Sequence, residues 1–148
     1  MENWRTIEGT NGNYSISNLG NVRRNEHYTE VTPGNFSHYK ERLLKPTTDS
    51  NGYLVVKLQV GKKAIVKKIH RLVAEVFISN ASNLPCVNHK DENRTNNSVD
   101  NLEWCTYKQN ANYGTRNDRL REISGIRVAQ YTLDGKLIKI WDSISQAS

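Results

Sequence analysis

The stretch between residues 53 and 104 limits most strongly what this chain can fold into. It contains two runs rich in strand-forming residues, 53–60 and 64–69, which the pair Gly61-Lys62 separates. The following segment, HRLVAEVFIS, has apolar residues at helical spacing. The pattern therefore predicts two strands that lead directly into one helix.

A long polar loop follows the predicted helix. Between Pro85 and Trp104 the sequence reads PCVNHKDENRTNNSVDNLEW, with a short apolar piece at each end and polar residues between them. Thr106 is a suitable N-cap for a second helix, and Gly114 suits the C-terminal cap of that helix. The segment is thus predicted to be two short apolar pieces, a loop and a helix.

The two ends of the chain have strand-like patterns. Residues 4–24 alternate apolar and polar side chains around the turn formers Asn18 and Gly20, which predicts a small hairpin module. Residues 25–42 have no clean period and are predicted to be a loop or linker whose two histidines are exposed and unpartnered. Residues 43–46 are a candidate edge strand.

Near the other end, Asp134 and Gly135 form a turn between two strand-like runs, so a second hairpin is expected. Ser143 and Gln146 then make a capping box, which predicts a helix that begins at Ile144.

Charge favours a polyanionic partner. The chain has 21 Lys and Arg residues against 15 Asp and Glu residues, for a net charge of +6. Its apolar runs are all shorter than the roughly 18 residues that span a bilayer, and no signal peptide is recognisable, so we expect a soluble cytoplasmic protein. Cys86 and Cys105 are expected to be buried thiols rather than a disulfide.

The residues that can perform chemistry lie in and after the polar loop. The pair Asn88-His89 is followed by Asn101, twelve residues after the histidine, and by Asn110 nine residues later. Hydrolysis of a phosphodiester needs a base that deprotonates water and a cation that offsets negative charge. His89 is the residue of this segment whose pKa lies near neutrality, and Asn oxygens suit Mg²⁺ or Mn²⁺.

With HRLVA upstream and NLEW around Asn101, residues 69–114 resemble the HNH, or ββα-metal, nuclease superfamily, in the branch found in phage homing endonucleases. The resemblance implies that His89 is the general base and that Asn88 and Asn110 bind one divalent metal ion through oxygen. Asn101 matches the middle residue of the motif, which braces the hairpin and orients the histidine. The expected location is then the host cytoplasm.

Two positions depart from the family pattern. Where this chain has Asn88, related enzymes often have Asp, so metal binding without DNA is expected to be weak. The third motif position is often His, and Asn110, Asn112 and Tyr113 compete for it here; the spacing favours Asn110. His70 either contacts phosphate or is a hydrogen-bonded residue at the start of the helix, and we favour the second interpretation.

A basic run between residues 62 and 71 contains no acidic residue, and phosphate neutralisation is its expected use, although a solvated strand face is the alternative. The side chains expected to contact DNA are Lys62, Lys63, Lys67, Lys68 and Arg71, followed by Arg116 and Arg119 in a linker.

Two other kinds of metal site can be judged by counting. An EF-hand that started at Asp91 would need Gly and Glu where the chain has Asn96 and Leu102, so that site is excluded. A structural zinc site would need paired short spacings, which the chain lacks. The side chains that would have to form it are Cys86, His89, Cys105 and His70.

The sequence therefore predicts an α+β protein of modular, elongated shape. Its parts would be an N-terminal β module with a linker (1–45), a ββα-metal core (46–115), and a linker with an incomplete C-terminal DNA-binding module of a hairpin and a helix (116–148). The motifs W-x-x-I, Y-S-I-S-N and G-N-V-R resemble the N-terminal module of phage HNH enzymes. The tail QYTLDGKLIKIWDSISQAS resembles the start of a modular DNA-binding repeat.

The predicted activity is metal-dependent hydrolysis of double-stranded DNA by a monomer that nicks one strand, with no small-molecule substrate and no membrane partner. The main alternative is a catalytically silent DNA-binding protein that retains the fold. A second alternative is a zinc-stabilised interaction module.

Overall fold

The computed structural model describes residues 1–115, 117, 118, 120 and 127–142 of the chain. Among these residues strands are more extensive than α-helices, which confirms a mixed α and β composition. The chain divides into two compact units, Met1–Thr106 and Tyr107–Ser148. No helix within the described residues is long and apolar enough to cross a membrane.

The strands and helices are numbered in chain order. The strands are β1 (Trp4–Thr6), β2 (Tyr14–Ser17), β3 (Val22–Arg24), β4 (His27–Thr32), β5 (Asn35–Tyr39), β6 (Arg42–Leu43), β7 (Thr47–Thr48), β8 (Leu54–Val60), β9 (Lys63–Lys68), β10 (Cys86–His89), β11 (Leu102–Cys105), β12 (Val128–Tyr131) and β13 (Leu137–Trp141). The helices are α1 (Ile69–Phe77) and α2 (Tyr107–Ala111).

The N-terminal strands form a four-stranded antiparallel sheet in the order β1-β2-β3-β6. The predicted hairpin around Asn18 and Gly20 is the β2-β3 pair, and Gly20 has a φ of +86°, which glycine adopts without a steric penalty. Tyr14, Ile16 and Val22 are buried on one face of this sheet. The predicted edge strand is shorter than expected and is confined to β6.

The segment after β3 is a β4-β5 hairpin, so the prediction of a loop or linker was wrong. Its strands are held by stacked rings rather than by an apolar face: His27 on Tyr39, with centroids 5.0 Å apart, and Tyr28 on His38 at 4.5 Å. His38 Nε2 is also 2.8 Å from a Glu26 carboxylate oxygen. Both histidines therefore have partners, and His27 is only half-exposed. Cross-strand ring pairs stabilise strands that an apolar period does not reveal.

The predicted strand pair and helix are present as β8, β9 and α1. Leu58 lies opposite Ile65 in the antiparallel register, and β7 adds a short third strand. α1 starts at Ile69 directly after β9, and it buries Leu72 and Val73. These residues have the helical spacing from which the helix was predicted.

The two short apolar pieces around the polar loop pair as the antiparallel hairpin β10-β11. This hairpin is attached to α1 and the residues after it by two hydrogen bonds. Arg71 Nη1 donates to the Pro85 carbonyl at 3.1 Å, and Trp104 Nε1 donates to the Ile78 carbonyl at 3.1 Å. The strands that carry the candidate site are thereby fixed to the helix.

One hydrophobic core serves both the N-terminal sheet and the ββα elements. Tyr14 joins the two parts, because the Gln59 backbone N–H donates to its hydroxyl at 3.1 Å. The predicted boundary near residue 45 thus does not separate two cores; each part has one apolar face, and each buries that face against the other. The buried residues of this core are Ile7, Tyr14, Ile16, Val22, Val56, Leu58, Ile69, Leu72, Val73 and Leu102.

The second unit contains α2 and the β12-β13 hairpin. α2 starts at Tyr107, directly after the predicted N-cap, but it ends at Ala111, before Gly114. The β12-β13 hairpin turns at the predicted Asp134-Gly135 pair, where Gly135 has a φ of +84°. The predicted capping box over 143–146 and the candidate DNA contacts Arg116 and Arg119 lie outside the described residues.

Candidate active site

The register of β10 and β11 positions the two central residues of the site. Asn88 lies opposite Glu103, and His89 lies opposite Leu102. Partners in an antiparallel pair share a face, and Leu102 belongs to the core, so His89 is directed to the core side of the hairpin. Both Asn88 and His89 are buried.

His89 has a specific hydrogen-bond partner. Its Nε2 is 3.1 Å from the side-chain oxygen of Asn97, which is also buried. The Asn97 amide nitrogen donates to the Thr95 carbonyl at 3.3 Å, so the amide oxygen is the atom that faces the imidazole. The hydrogen of neutral His89 must therefore be on Nε2, which leaves a lone pair on Nδ1.

Sequence reasoning did not single out Asn97. It assigned the orientation of the histidine to Asn101, which instead fastens the polar loop. The Asn101 amide donates to the Asp91 carboxylate and to the Asn96 carbonyl, both at 2.8 Å, and its oxygen accepts from the Asp91 backbone N–H. Asn101 thus joins residues of the loop between β10 and β11, whereas the direct hydrogen bond to His89 involves Asn97.

The environment keeps His89 neutral. Burial lowers the pKa of His89 below its ordinary value, while the hydrogen bond that His89 donates to Asn97 and the charge of Asp91 partly oppose that shift. The positive charge of Arg94 contributes to the lowering. A neutral imidazole near pH 7 is the form that can accept a proton.

His89 belongs to a cluster of three aromatic rings. Its ring centroid is 5.0 Å from that of His70 in an edge arrangement, and Tyr53 lies 4.8 Å from His70 and 6.0 Å from His89. His70 is buried in the first turn of α1, and its Nδ1 has no hydrogen-bond partner, so the expectation of a hydrogen-bonded residue is wrong for this atom. Burial, together with the neighbouring His89, lowers the pKa of His70 to about 3.

Two cations lie against the Tyr53 ring. Lys68 Nζ is 4.3 Å from the ring centroid and 3.5 Å from an Asp49 carboxylate oxygen. The Arg94 guanidinium carbon is 5.1 Å from the same centroid, and this side chain donates to the Asn51 carbonyl. The rings beside His89 are therefore flanked by the positive charges of Lys68 and Arg94. Sequence reasoning selected neither Arg94 nor Tyr53.

The side chain of Asn88 is held by Glu103, another residue that sequence reasoning missed. The Asn88 amide nitrogen donates to the Glu103 carboxylate at 3.1 Å. Because a carboxylate accepts hydrogen bonds, this contact fixes which end of the amide is nitrogen and leaves the Asn88 oxygen free of Glu103. An amide oxygen beside a carboxylate is a donor set that fits a hard divalent cation.

The other side chains that were considered as metal ligands do not lie together as Asn88 and Glu103 do. Within the part of the chain that the structure describes, no group of three or more His, Cys, Asp or Glu side chains could hold a metal ion, so the zinc set from the sequence does not form. Cys86 and Cys105 lie opposite each other as free thiols. Asn110 lies on α2 of the second unit, where its side chain is exposed, and its role in metal binding stays a prediction.

The basic run does not form a single surface. Lys63 and Lys67 lie on the face of β9 that also carries Ile65, whereas Lys68 lies on the opposite face. Lys57, which sequence reasoning did not select, shares the face of Lys68 and is exposed. Of the other two residues of the run that were predicted to contact DNA, Lys62 is exposed. Arg71 is half-buried and donates a hydrogen bond to the Pro85 carbonyl.

Comparison with known proteins identifies relatives for most of the chain. A family profile described as the NUMOD4 motif matches residues 2–59. An uncharacterised HNH endonuclease of Acanthamoeba polyphaga mimivirus is 37% identical over 137 residues, which are 93% of this chain and 37% of the relative. DNA endonuclease I-HmuI of Bacillus phage SP01 is 34% identical over 107 residues, which are 72% of this chain and 54% of that enzyme.

A solved structure is also similar over nearly the whole chain. It is described as DNA binding and cleavage by the HNH homing endonuclease I-HmuI, and it matches with a TM-score of 0.58 at 28% identity. The match covers 98% of this chain and 80% of the solved chain. Against the full lengths of the curated relatives, the chain spans only 37% of the mimivirus protein and 54% of the phage enzyme.

Proposed function

Because this chain belongs to the HNH homing endonucleases, we propose that it is a DNA endonuclease that hydrolyses phosphodiester bonds in double-stranded DNA and nicks one strand. The observation that carries this proposal is the hydrogen bond between His89 Nε2 and the Asn97 oxygen, because it leaves Nδ1 of a neutral imidazole available as a base. The described activity of the phage relative, DNA binding and cleavage, supports the same reaction.

His89 is the proposed general base. Its Nδ1 would take a proton from the water that attacks the phosphorus, and the Asn97 oxygen would stabilise the resulting imidazolium through Nε2–H. A positioned base of this kind contributes roughly 10²–10⁴-fold to a rate. The lowered pKa of His89 keeps the base unprotonated at neutral pH.

The proposed cofactor is one Mg²⁺ or Mn²⁺ ion, held by the side-chain oxygens of Asn88 and Asn110. When bound, the cation would offset the negative charge that develops on the phosphoryl and leaving oxygens. Support comes from Asn88, whose amide is oriented by Glu103 so that its oxygen is available. Neutral amide ligands bind a hard cation weakly, so we propose that DNA phosphate completes the site.

We propose that the DNA backbone approaches over the face of β8 and β9 that carries Lys57 and Lys68. Lys68 lies against Tyr53 next to the two histidines, as does Arg94. These cations would neutralise phosphates near the scissile bond, a contact that contributes affinity without sequence specificity.

A nicking assay tests the proposal against its alternatives. Supercoiled plasmid is incubated with excess protein in Mg²⁺, in Mn²⁺ and in EDTA, and DNA binding is measured in parallel by fluorescence anisotropy. We expect nicking in either metal and none in EDTA. Binding without nicking under all three conditions would favour the catalytically silent DNA-binding protein, and unfolding in EDTA would favour the zinc-stabilised module.

A further inference from the structure

The turn between β2 and β3 in the N-terminal sheet contacts the residue that holds His89. A Cβ atom placed on Gly20 in this turn would lie 2.8 Å from the Asn97 Cβ, 3.3 Å from the Asn97 carbonyl oxygen and 3.4 Å from an Ile69 methyl. The backbone of the turn therefore packs directly against Asn97, at a separation that no other residue type allows.

A second contact fixes the same loop to the same turn. The Val99 backbone N–H donates to the Asn18 carbonyl at 2.8 Å. The turn thus holds the polar loop at two points, because Gly20 packs against Asn97 and Asn18 accepts a hydrogen bond from Val99. Asn97 is only 4% exposed. The apolar residues that could otherwise anchor this loop are few, because residues 90–98 are all polar or charged.

We infer that the β2-β3 turn is a positioning element for the general base and acts on His89 through Asn97. This inference rests on the proposed function. It means that the N-terminal segment supports the active site in addition to sharing the core. Close packing of Gly20 excludes water from Asn97 and directs the amide oxygen to His89, which fixes the imidazole with hydrogen on Nε2.

The chain contains a matched control for the test. Gly34 in the β4-β5 turn has a φ of +79°, close to the +86° of Gly20, but a Cβ placed there would meet nothing within 4 Å. Alanine at either position carries the same left-handed backbone strain. Only Gly20→Ala also displaces Asn97, so any difference between the two variants reports that contact.

Two measurements are made on the wild type, Gly20→Ala and Gly34→Ala. The first is ¹⁵N NMR of the histidine side chains, which reports the tautomer of His89 whether or not the protein cuts DNA. The second is the pH dependence of single-turnover nicking. We expect Gly20→Ala to give a mixture of His89 tautomers and to lower nicking at least tenfold, with Gly34→Ala like the wild type in both measurements.

Asn97→Ala supplies the coupling test. If the turn acts through Asn97, adding Gly20→Ala to Asn97→Ala should lower nicking by less than twofold. Asn97→Asp keeps an oxygen acceptor for Nε2–H, so ¹⁵N NMR should show a single His89 tautomer in this variant and a mixture in Asn97→Ala. A single tautomer in Asn97→Ala as well would overturn the inference.

The inference and the proposed function can fail separately. No nicking by the wild type would remove the proposed function, but the NMR comparison would still test the turn. A single His89 tautomer in Gly20→Ala, identical to the wild type, would overturn the inference even if nicking were strong. If Gly20→Ala does not fold, Gly20→Ala combined with Asn97→Gly removes the nearest of the three atoms that the new Cβ meets, the one at 2.8 Å; recovery of folding supports the contact, and failure to recover overturns it.

Discussion

Asn88 donates a hydrogen bond from its side-chain amide to the Glu103 carboxylate, 3.1 Å away on the neighbouring strand. Related enzymes often have a carboxylate at the position of Asn88. In this chain the Asn88 amide is paired with the carboxylate of Glu103, which lies on β11. This pairing therefore restores negative charge to this part of the hairpin and sets the direction of the Asn88 oxygen.

The first prediction separates these two effects of Glu103. Glu103→Leu removes the acceptor and lets the Asn88 amide rotate, so the Mg²⁺ concentration for half-maximal nicking should rise at least tenfold, as is typical when a residue that orients a metal ligand is lost. Glu103→Gln keeps an oxygen acceptor and should stay within about threefold of the wild type in the same titration. Equal losses in both variants would mean that the charge of Glu103, rather than its hydrogen bond, matters.

The second prediction concerns the base. His89→Ala should lower single-turnover nicking by roughly 10²–10⁴-fold, because it removes the group that takes the proton from the attacking water. Affinity for DNA should stay within a few-fold of the wild type in fluorescence anisotropy, since His89 is buried and is not a phosphate contact. Cleavage by the variant at the wild-type rate would end the assignment.

The third prediction follows from the depressed pKa of His70. Folded His70 stays neutral down to about pH 3, whereas in the unfolded chain it takes up a proton near its ordinary pKa of 6.5. The unfolded state thus binds more protons between these values, and the free energy of unfolding should fall by about 1.4 kcal/mol per pH unit below 6.5.

His70→Leu removes both this titration and a buried nitrogen without a hydrogen-bond partner. The variant should be more stable by about 1 kcal/mol at pH 7.5 and should lose less stability towards pH 4. Urea unfolding of both proteins at several pH values measures the difference. Parallel curves would show that His70 does not titrate as its burial implies.

The fourth prediction uses the two faces of β8 and β9. If DNA lies on the face of Lys57, Lys57→Ala should flatten the dependence of log K on log salt by about 0.9, the value for one phosphate contact. Lys63→Ala, on the opposite face of the sheet, should leave the slope unchanged. Anisotropy titrations from low to moderate salt compare the two variants, and the reverse order would place the DNA on the other face.

Those parts of the fold that depend on an apolar period could be predicted from the sequence. Leu72, Val73, Val76 and Phe77 recur at helical spacing, and strands β8 and β9 contain strand formers on both sides of one turn. The β4-β5 hairpin could not be predicted in this way, because the rings of Tyr28 and His38 stabilise it across the strands, and neither ring produces an apolar alternation.

The site was predictable to the extent that it depends on residue type and local spacing. Asn88 and His89 stand out because one is a hard oxygen donor and the other a base near neutrality. Asn97 resembles any turn asparagine in a polar loop, and the folded structure distinguishes it by its hydrogen bond to His89 and its packing against Gly20. Glu103 acquires its role from strand register, since the partner of a side chain fifteen residues away depends on how the hairpin closes.

The fifth prediction concerns Asn88→Asp, a change that places a second carboxylate about where the Asn88 amide now meets Glu103. Without metal, two negative groups at about the present 3.1 Å separation repel each other. In EDTA the Asn88→Asp variant should therefore be less stable than the wild type. With Mg²⁺ the carboxylate introduced by Asn88→Asp is a stronger ligand for a hard cation than the amide that it replaces. Mg²⁺ should therefore raise the Tm of Asn88→Asp more than that of the wild type, and half-maximal nicking should need less Mg²⁺.

Asn110→Ala is the complementary change, because it removes one of the two proposed protein ligands. Its Mg²⁺ requirement for nicking should rise, and the Tm in EDTA should be unchanged, since the side chain is exposed in a separate unit. Zn²⁺ should rescue neither variant. One magnesium titration of nicking, performed on the wild type and both variants, decides between the outcomes. A single midpoint shared by all three proteins would mean that neither Asn88 nor Asn110 binds the metal, and the cation would then have to be held by DNA phosphates and other side chains.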